Sequence, residues 1–348
     1  MLSRRMNSAL SSAVLLAGSL WLASSISHAA DIDSPTLNAV QERGRVVCGV
    51  NANLPGFSTA NSLGEYAGLD IDMCRAISAA VFGDAEQTEY VPTSATDRFD
   101  ALNNNEFDVL TRNTTWTLER NASFGNFAGV NYYDGQGFMV WKRSGIRSAL
   151  ELDNVSICVT RGTTTELNAA DYFTINKIRY APVFFDDSST AIEAYSSGEC
   201  DALTTDRSAL AATRISQPDP EAHRMLAEII SKEPLGPMVR VNDTGWENVV
   251  RWSLNCMINA EEIGIDSANV GDIDDNDLPN AQRLKGIVGD FGEKLGLNDS
   301  WCADIISSVG NYAESYERNV GVDSRLDLPR GVNSLWTNGG LIYAPPIR

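Results

Sequence analysis

The chain has 348 residues and a formal charge of −19, with 46 acidic against 27 basic side chains. So acidic a surface is repelled by nucleic-acid phosphates and anionic lipid, which excludes both as expected partners and favours a soluble monomer. The length exceeds one ordinary core and suits two domains.

The N-terminus carries the order of a secretory signal peptide: Arg4 and Arg5, a mostly apolar or small stretch from Ala9 to Ile26, then Ser27-His28-Ala29 with small residues at the two positions a signal peptidase reads. Residues 1–29 are the expected signal, and the remainder is expected in the periplasm. Ala13–Ala23 is well short of the ~20 residues of a spanning helix, which argues against a membrane anchor. In that oxidising compartment the six cysteines (48, 74, 158, 200, 256 and 302) are expected in disulfides, and six allow 15 connectivities. No pair has the CxxC spacing of a zinc site, so neither a metal nor a cofactor is expected.

Val46–Val50 is an unbroken apolar run and reads as a buried strand. Asp70–Phe82 follows as a helix with Asp70 or Asp72 as its N-cap, then strand Thr88–Val91, the helix end Arg98–Asn103 and strand Phe107–Thr111. This βαβαβ rhythm predicts a largely parallel sheet covered by helices on both faces. The rhythm restarts with strand Val155–Val159, helix Thr163–Phe173, strand Val183–Phe185, helix Thr190–Ser197 and strand Asp201–Thr204. Residues 105–113 and 198–206 share Glu, Asp, Leu and Thr at matched places, a moderate internal repeat. Ligands of open α/β sheets bind beyond the carboxyl ends of strands, so the repeat sets Asn113 and Asp206 on two walls of one cleft. From Trp246 onward the pattern is helical, with amphipathic stretches at Asn248–Glu262, Ala281–Leu295 and Trp301–Asn311 and an acidic loop at Asp272–Asp277.

Asn53-Leu54-Pro55-Gly56-Phe57-Ser58 and Gly68-Leu69-Asp70-Ile71-Asp72-Met73-Cys74-Arg75-Ala76 resemble the family-3 solute-binding proteins of polar amino-acid transporters. Arg112–Thr117, Tyr132–Val140, Ile230–Pro237 and Gly340–Pro346 are similar to the branch that binds general L-amino acids, or glutamate, glutamine, aspartate and asparagine, for ABC importers. The resemblance covers nearly all of the chain beyond the signal. It implies a type II periplasmic-binding-protein (Venus-flytrap) fold: two α/β lobes, a double hinge crossing and a helical C-terminal extension. Residues 30–136 plus 236–348 would form lobe 1 and 137–235 lobe 2, with hinges near Gln136–Gly137 and Gly236–Pro237. On that division Cys158 and Cys200 fall alone in lobe 2 and are expected to pair. Cys48 on the first strand would pair with Cys74 on the next helix, leaving Cys256 with Cys302.

The resemblance also implies roles. Arg120 would clamp a ligand α-carboxylate through charge-assisted bonds, supported by Asn113 and Thr115; without the motif, Arg120 reads as a solvated helix residue beside Glu119. Asp206 would receive the ligand ammonium, against a reading as a helix cap. The loop Gly162-Thr163-Thr164 would touch the ligand from lobe 2, although Thr163…Glu166 also has the spacing of a capping box. Arg98 would face the ligand side chain and favour acidic amino acids or their amides, its alternative being a surface helix residue. Arg112 and Asn51 are further pocket candidates.

Binding and delivery of an L-amino acid to a membrane permease is therefore the expected function. Two alternatives stand beside it: an enzyme on the same fold, similar to cyclohexadienyl dehydratases, and a chemosensory ligand-binding protein. Catalysis has little to work with. Beyond the signal His223 is the only histidine, it lies in a Pro-rich stretch that reads as exposed, and neither a phosphate-binding loop nor a dinucleotide fingerprint occurs.

Overall fold

The structure is a computed structural model that describes residues 34–348. The signal-peptide expectation lies outside the described residues. Helix α1 (Pro35–Arg43) leads into β1 (Val46–Val50), and a small antiparallel sheet follows: β2 (Asn53–Leu54), β3 (Ser58–Ala60) and β4 (Tyr66–Ala67). Then come α2 (Leu69–Phe82), β5 (Thr88–Pro92), α3 (Arg98–Asn103), β6 (Val109–Leu110), α4 (Leu118–Ser123) and β7 (Asn126–Phe127). Strand β8 (Tyr132–Asp134) leads out of this first lobe. The second lobe holds β9 (Gln136–Trp141), β10 (Val155–Thr160), α5 (Thr164–Asn176), β11 (Tyr180–Phe185), α6 (Ser188–Ser197), β12 (Ala202–Asp206), α7 (Arg207–Ile215) and β13 (His223–Met225). Strand β14 (Glu233–Leu235) returns to β15 (Met238–Val239) of the first lobe, followed by α8 (Thr244–Glu262), α9 (Pro279–Lys285), α10 (Trp301–Val309) and α11 (Tyr312–Asn319).

The two five-stranded sheets share one plan, in the orders β5-β1-β6-β15-β7 and β11-β10-β12-β9-β13. In each, the first parallel strand lies between the next two, and the strand arriving from the crossing adds antiparallel beside the third. The repeat seen between residues 105–113 and 198–206 is thus a repeat of topology. Alternation within strands explains why both faces are covered. Phe138, Val140, Ile157 and Ala202 join one core of the second lobe, while Met139, Cys158 and Leu203 face the opposite one with Tyr195 and Leu210. In the first lobe Val46, Cys48 and Val50 pack with α2 and the C-terminal helices, and Val47 turns to Phe99 and Phe107.

The crossings β8 and β14 pair antiparallel as a two-stranded ribbon, with Asp134 opposite Glu233 and Leu235 opposite Tyr132. Beyond β14 a Cβ on Gly236 would stand 1.9 Å from the Gly129 carbonyl oxygen, so only glycine lets the returning chain re-enter there.

Three disulfides stitch the fold: Cys48–Cys74 between β1 and α2, Cys158–Cys200 between β10 and the turn before β12, and Cys256–Cys302 between α8 and α10. Each typically contributes ~2–4 kcal/mol.

Several expectations are corrected. Helix α2 starts at Leu69 after Gly68, and neither Asp70 nor Asp72 caps it. Gly68 is required there because a Cβ would meet the Phe57 carbonyl oxygen at 2.1 Å. Asp72 instead accepts from Ser315, Arg318 and Asn319 at 2.5–2.7 Å and anchors α11. The helix expected over 281–295 ends at Lys285, because Gly286, Gly289 and Gly292 follow in turns. The stretch expected as one helix over 301–311 closes at Gly310, and α11 starts anew behind an Asn311–Glu314 capping box. His223 is buried, since β13 adds to the edge of β9, and its Nδ1 lies 2.7 Å from the Tyr195 hydroxyl. Among the described residues no helix is long and apolar enough to cross a membrane.

Candidate functional site

A cavity of about 440 Å³, counting the space open at its mouth, lies between the lobes at the carboxyl ends of the central strands. From the first lobe Asn51, Arg98, Arg112, Asn113, Thr115 and Arg120 line it; from the second, Thr163, Thr164 and Asp206 do, with Thr160, Ser188 and Thr205. The structure therefore brings together every singled-out residue except Gly162, which sits at the rim, where a Cβ would touch the Thr96 methyl across the gap at 3.4 Å.

The geometry begins with Asn113. It follows β6 in a left-handed conformation at φ 30°, which Asn tolerates better than most residues. Its N–H donates to the buried Asp70 carboxylate at 2.7 Å and its side-chain oxygen accepts from Asn51 at 3.2 Å. The chain then runs along the returning crossing: Trp116 N–H donates to Pro234 O at 2.7 Å and Gly236 N–H to Thr114 O at 3.1 Å. This fixes Thr115, whose hydroxyl lies 3.4 Å from that of Thr164 in the other lobe.

Arg120 stands in the first turn of α4, capped by the Thr117 hydroxyl. Far from being solvated, it is buried; one guanidinium N–H donates to Thr115 O at 3.0 Å, and no carboxylate among the described residues pairs with it directly. Burial pulls its pKa down, opposed by the negative charges of Glu233 and Asp206. Arg112 is also buried and donates to Thr93 O at 2.9 Å; burial lowers its pKa to about 10 against the pull of Asp70 and Asp187.

Arg98 is the least satisfied of the three. It opens α3 and is only 3% exposed, which corrects the surface alternative. Its one hydrogen bond, to the Thr114 hydroxyl, is long at 3.4 Å, and its Nε has no partner. Burial, then the like charges of Arg112 and Arg120, push its pKa well below the guanidinium range.

In the second lobe Thr163 occupies the N-cap position of α5, but its hydroxyl turns back to Thr160 O at 2.7 Å, and Glu166 reaches Gly162 N–H at 3.1 Å. The capping box expected from their spacing does not form. The Thr164 hydroxyl donates to Glu233 at 3.0 Å, and Glu233 also holds Asn168 and Ser231 at 2.7 and 2.5 Å. Asp206 ends β12 in the cap position of α7, but its side chain caps nothing. Asp134 does that work, accepting from the Ser208 N–H at 3.3 Å and from its hydroxyl. Asp206 is left buried with no hydrogen-bond donor on its carboxylate among the described residues. Burial raises its pKa well above the ordinary range, with Asp134 and Glu233 adding to the shift and Arg120 and Arg98 opposing it.

The sequence reading missed Asp70, Asp134 and Glu233 as supports, and Thr160, Ser188 and Thr205 as lining. The rule that placed Asn113 and Asp206, applied to β10 and β11, points to Thr160 and Ser188 as well. The buried acids carry little local signal, since the partners that tie them to the site are distant in sequence: Asn113 for Asp70, Ser208 for Asp134, and Thr164 and Asn168 for Glu233. Among the described residues that line the cavity none is His, Cys or Lys.

Residues 46–264 match the bacterial extracellular solute-binding proteins, family 3. The chain belongs to that family. Its residues 265–348 extend past the match. The chain is 46% identical over 351 aligned residues, covering 100% of both, to the general L-amino acid-binding periplasmic protein AapJ of Rhizobium johnstonii. It is 45% identical over 333 residues to the glutamate/glutamine/aspartate/asparagine-binding protein BztA of Rhodobacter capsulatus, covering 95% of this chain and 98% of that one. A solved ABC transporter/periplasmic binding protein from Brucella ovis with glutathione bound superposes with a TM-score of 0.88 at 50% identity, covering 90% of this chain and 99% of that one.

Proposed function

We propose that this protein binds an L-amino acid with a polar or acidic side chain in the periplasm and delivers it, as a monomer, to the permease of an ABC importer. The observation that carries the reading is the charge pattern of the cavity. Among the described residues, three buried guanidinium groups have no directly paired carboxylate and one buried carboxylate has no donor. Such groups are costly without a ligand, and a zwitterion carrying a second acidic or amide group relieves Arg120, Asp206 and Arg98. In this reading Arg120, Asn113 and Thr115 take the α-carboxylate, Asp206 takes the ammonium, Gly162, Thr163 and Thr164 close over it, and Arg98 meets the side chain. Residues 34–136 with 236–348 move as one body and 137–235 as the other about the β8–β14 ribbon. Because both lobes touch the ligand, it binds the closed form better than the open one, which is what drives closure.

A second ligand class is favoured by one observation, the glutathione held by the Brucella ovis protein. Glutathione begins with a γ-linked glutamate, so it presents the same α-carboxylate and ammonium pair as a free amino acid. A thermal-shift screen of the purified protein against the twenty L-amino acids and glutathione, followed by calorimetry of every hit, tests the reading. A ligand confined to the native state raises the apparent stability by RT ln(1 + [L]/Kd). Silence across the whole panel, with turnover of an aromatic precursor, would replace the binding reading with the dehydratase-like enzyme. Binding without restored uptake in a transport-deficient strain would favour the chemosensory role.

A further inference from the structure

The segment beyond the family match grips the outgoing crossing at three consecutive residues. The Tyr312 hydroxyl donates to Asn131 O at 2.8 Å. The Tyr316 ring stacks on Tyr132, centroids 6.0 Å apart. The Asn333 carboxamide makes two bonds to the Tyr133 backbone, accepting its N–H at 2.7 Å and donating to its carbonyl at 3.0 Å. One side chain thus offers the donor and acceptor that a residue of a third strand would offer.

The ribbon has a reason to need this. Tyr133 stands opposite Pro234, which has no N–H to give. Pro234 faces the other edge, where its carbonyl accepts from Trp116. In an antiparallel pair both backbone groups of such a residue point away from the partner strand, so Tyr133 would be left open on its outer side. A two-stranded ribbon is marginal alone, and backbone groups shielded from water require partners. Asn333 supplies them, and it is 3% exposed. Its own place is fixed from behind: Arg330 donates to Asn333 O at 3.0 Å, pairs with Glu261 of α8 at 3.0 and 3.1 Å, and lies over the Tyr312 and Tyr316 rings.

We propose that Asn333 is a positioning residue for lobe closure: by completing the outer edge of β8 it clamps that strand to the first lobe, so that rotation is confined to the residues after Asp134 and the second lobe closes in register with the ligand. The proposal rests on the ligand-binding reading above. It gives the C-terminal extension a task in binding, although none of residues 265–348 lines the cavity.

The test compares wild type with Asn333→Ala and Asn333→Asp; the second keeps an acceptor for the Tyr133 N–H and loses the donor. Calorimetry with the best binder of the amino-acid and glutathione panel reads affinity, and small-angle X-ray scattering reads compaction on adding it. Loss of both hydrogen bonds in Asn333→Ala, or of one in Asn333→Asp, is expected to raise Kd about three- to thirtyfold, most in the alanine variant, and to reduce the ligand-induced compaction. Variants that melt earlier but keep wild-type Kd and compaction would reduce Asn333 to a purely structural residue and overturn the proposal. Amide exchange of wild type decides the matter if neither variant folds. The Tyr133 N–H is expected to be protected to the level of the β9 core with and without ligand, and exchange as fast as an exposed loop overturns the clamp. If wild type binds nothing in the panel, the functional reading fails, while amide exchange still shows whether the clamp exists.

Discussion

The Asp70 carboxylate accepts the Asn113 N–H at 2.7 Å and thereby holds a cavity-lining residue in a left-handed turn. The acid is 3% exposed, and burial pushes its pKa up to about 6 despite the opposing effects of that hydrogen bond, of Asn131 and of Arg112. A folded-state pKa above the unfolded value of 3.8 means that the native state keeps its proton longer. The linked stability is fully present below pH ~4 and is lost as pH rises through about 6. The loss is on the order of 3 kcal/mol at neutrality. Asp70→Asn keeps an acceptor for Asn113 and removes the titration. Denaturant unfolding at pH 4 and pH 7 should show wild type losing ground to the variant on going to neutral pH. An equal gap at both values would show that Asp70 titrates normally.

Much of this arrangement was legible in the sequence where a residue's role is decided by its neighbours. Val46–Val50 is apolar at every position because β1 is buried between two strands, and the βαβ rhythm follows from helices covering both faces. Asn113 and Asp206 were placed by the internal repeat and the strand-end rule together. Asp70, Thr163 and Asn333 mark the limit. An acid in a first helical turn ordinarily caps it, yet Asp70 serves a residue 43 positions away. The Thr163…Glu166 spacing fits a capping box, but the Thr163 hydroxyl finds Thr160 O first. Nothing near Asn333 records that Tyr133, 200 residues earlier, lies in front of it.

The paired truncations Arg120→Ala and Asp206→Asn should each weaken binding of the best amino acid. Removing one partner of a buried charged contact costs about 2–5 kcal/mol, so Kd should rise by roughly thirtyfold or more. The unliganded protein should not melt earlier to match, because neither charge is directly paired within it, and Asp206→Asn relieves a buried carboxylate crowded by Asp134 and Glu233. Calorimetry with unchanged affinity would remove the mutated residue from the site.

The Cys158–Cys200 disulfide lies wholly within the second lobe, buried with Tyr195, Leu203 and Leu210. Replacing both cysteines by alanine should lower stability by ~2–4 kcal/mol, with the cavity left intact. Unfolding curves should shift while ligand affinity stays within a factor of about three, a difference below 1 kcal/mol. A larger loss of affinity would mean that the bridge also shapes the strand ends that carry Thr160 and Asp206.

Arg98 separates specificity from closure. Its guanidinium is buried with one long hydrogen bond and two like charges nearby, an arrangement that weakens the empty protein. Arg98→Leu should therefore raise the melting temperature of the unliganded form. If the guanidinium meets the ligand side chain, the same change should cost glutamate and aspartate about 1.5–3 kcal/mol more than leucine, the usual worth of a hydrogen bond to a charged group. Lysine and arginine should be disfavoured in a cavity that already holds three guanidinium groups, and should bind the variant better than wild type. Calorimetry across glutamate, aspartate, leucine, lysine and arginine measures the affinity differences on one pair of proteins, and thermal melts of the unliganded forms measure the stability change. Equal weakening of glutamate and leucine would instead assign Arg98 to closure, and the discrimination among side chains would then fall to Arg112 and Asn51 on the same wall.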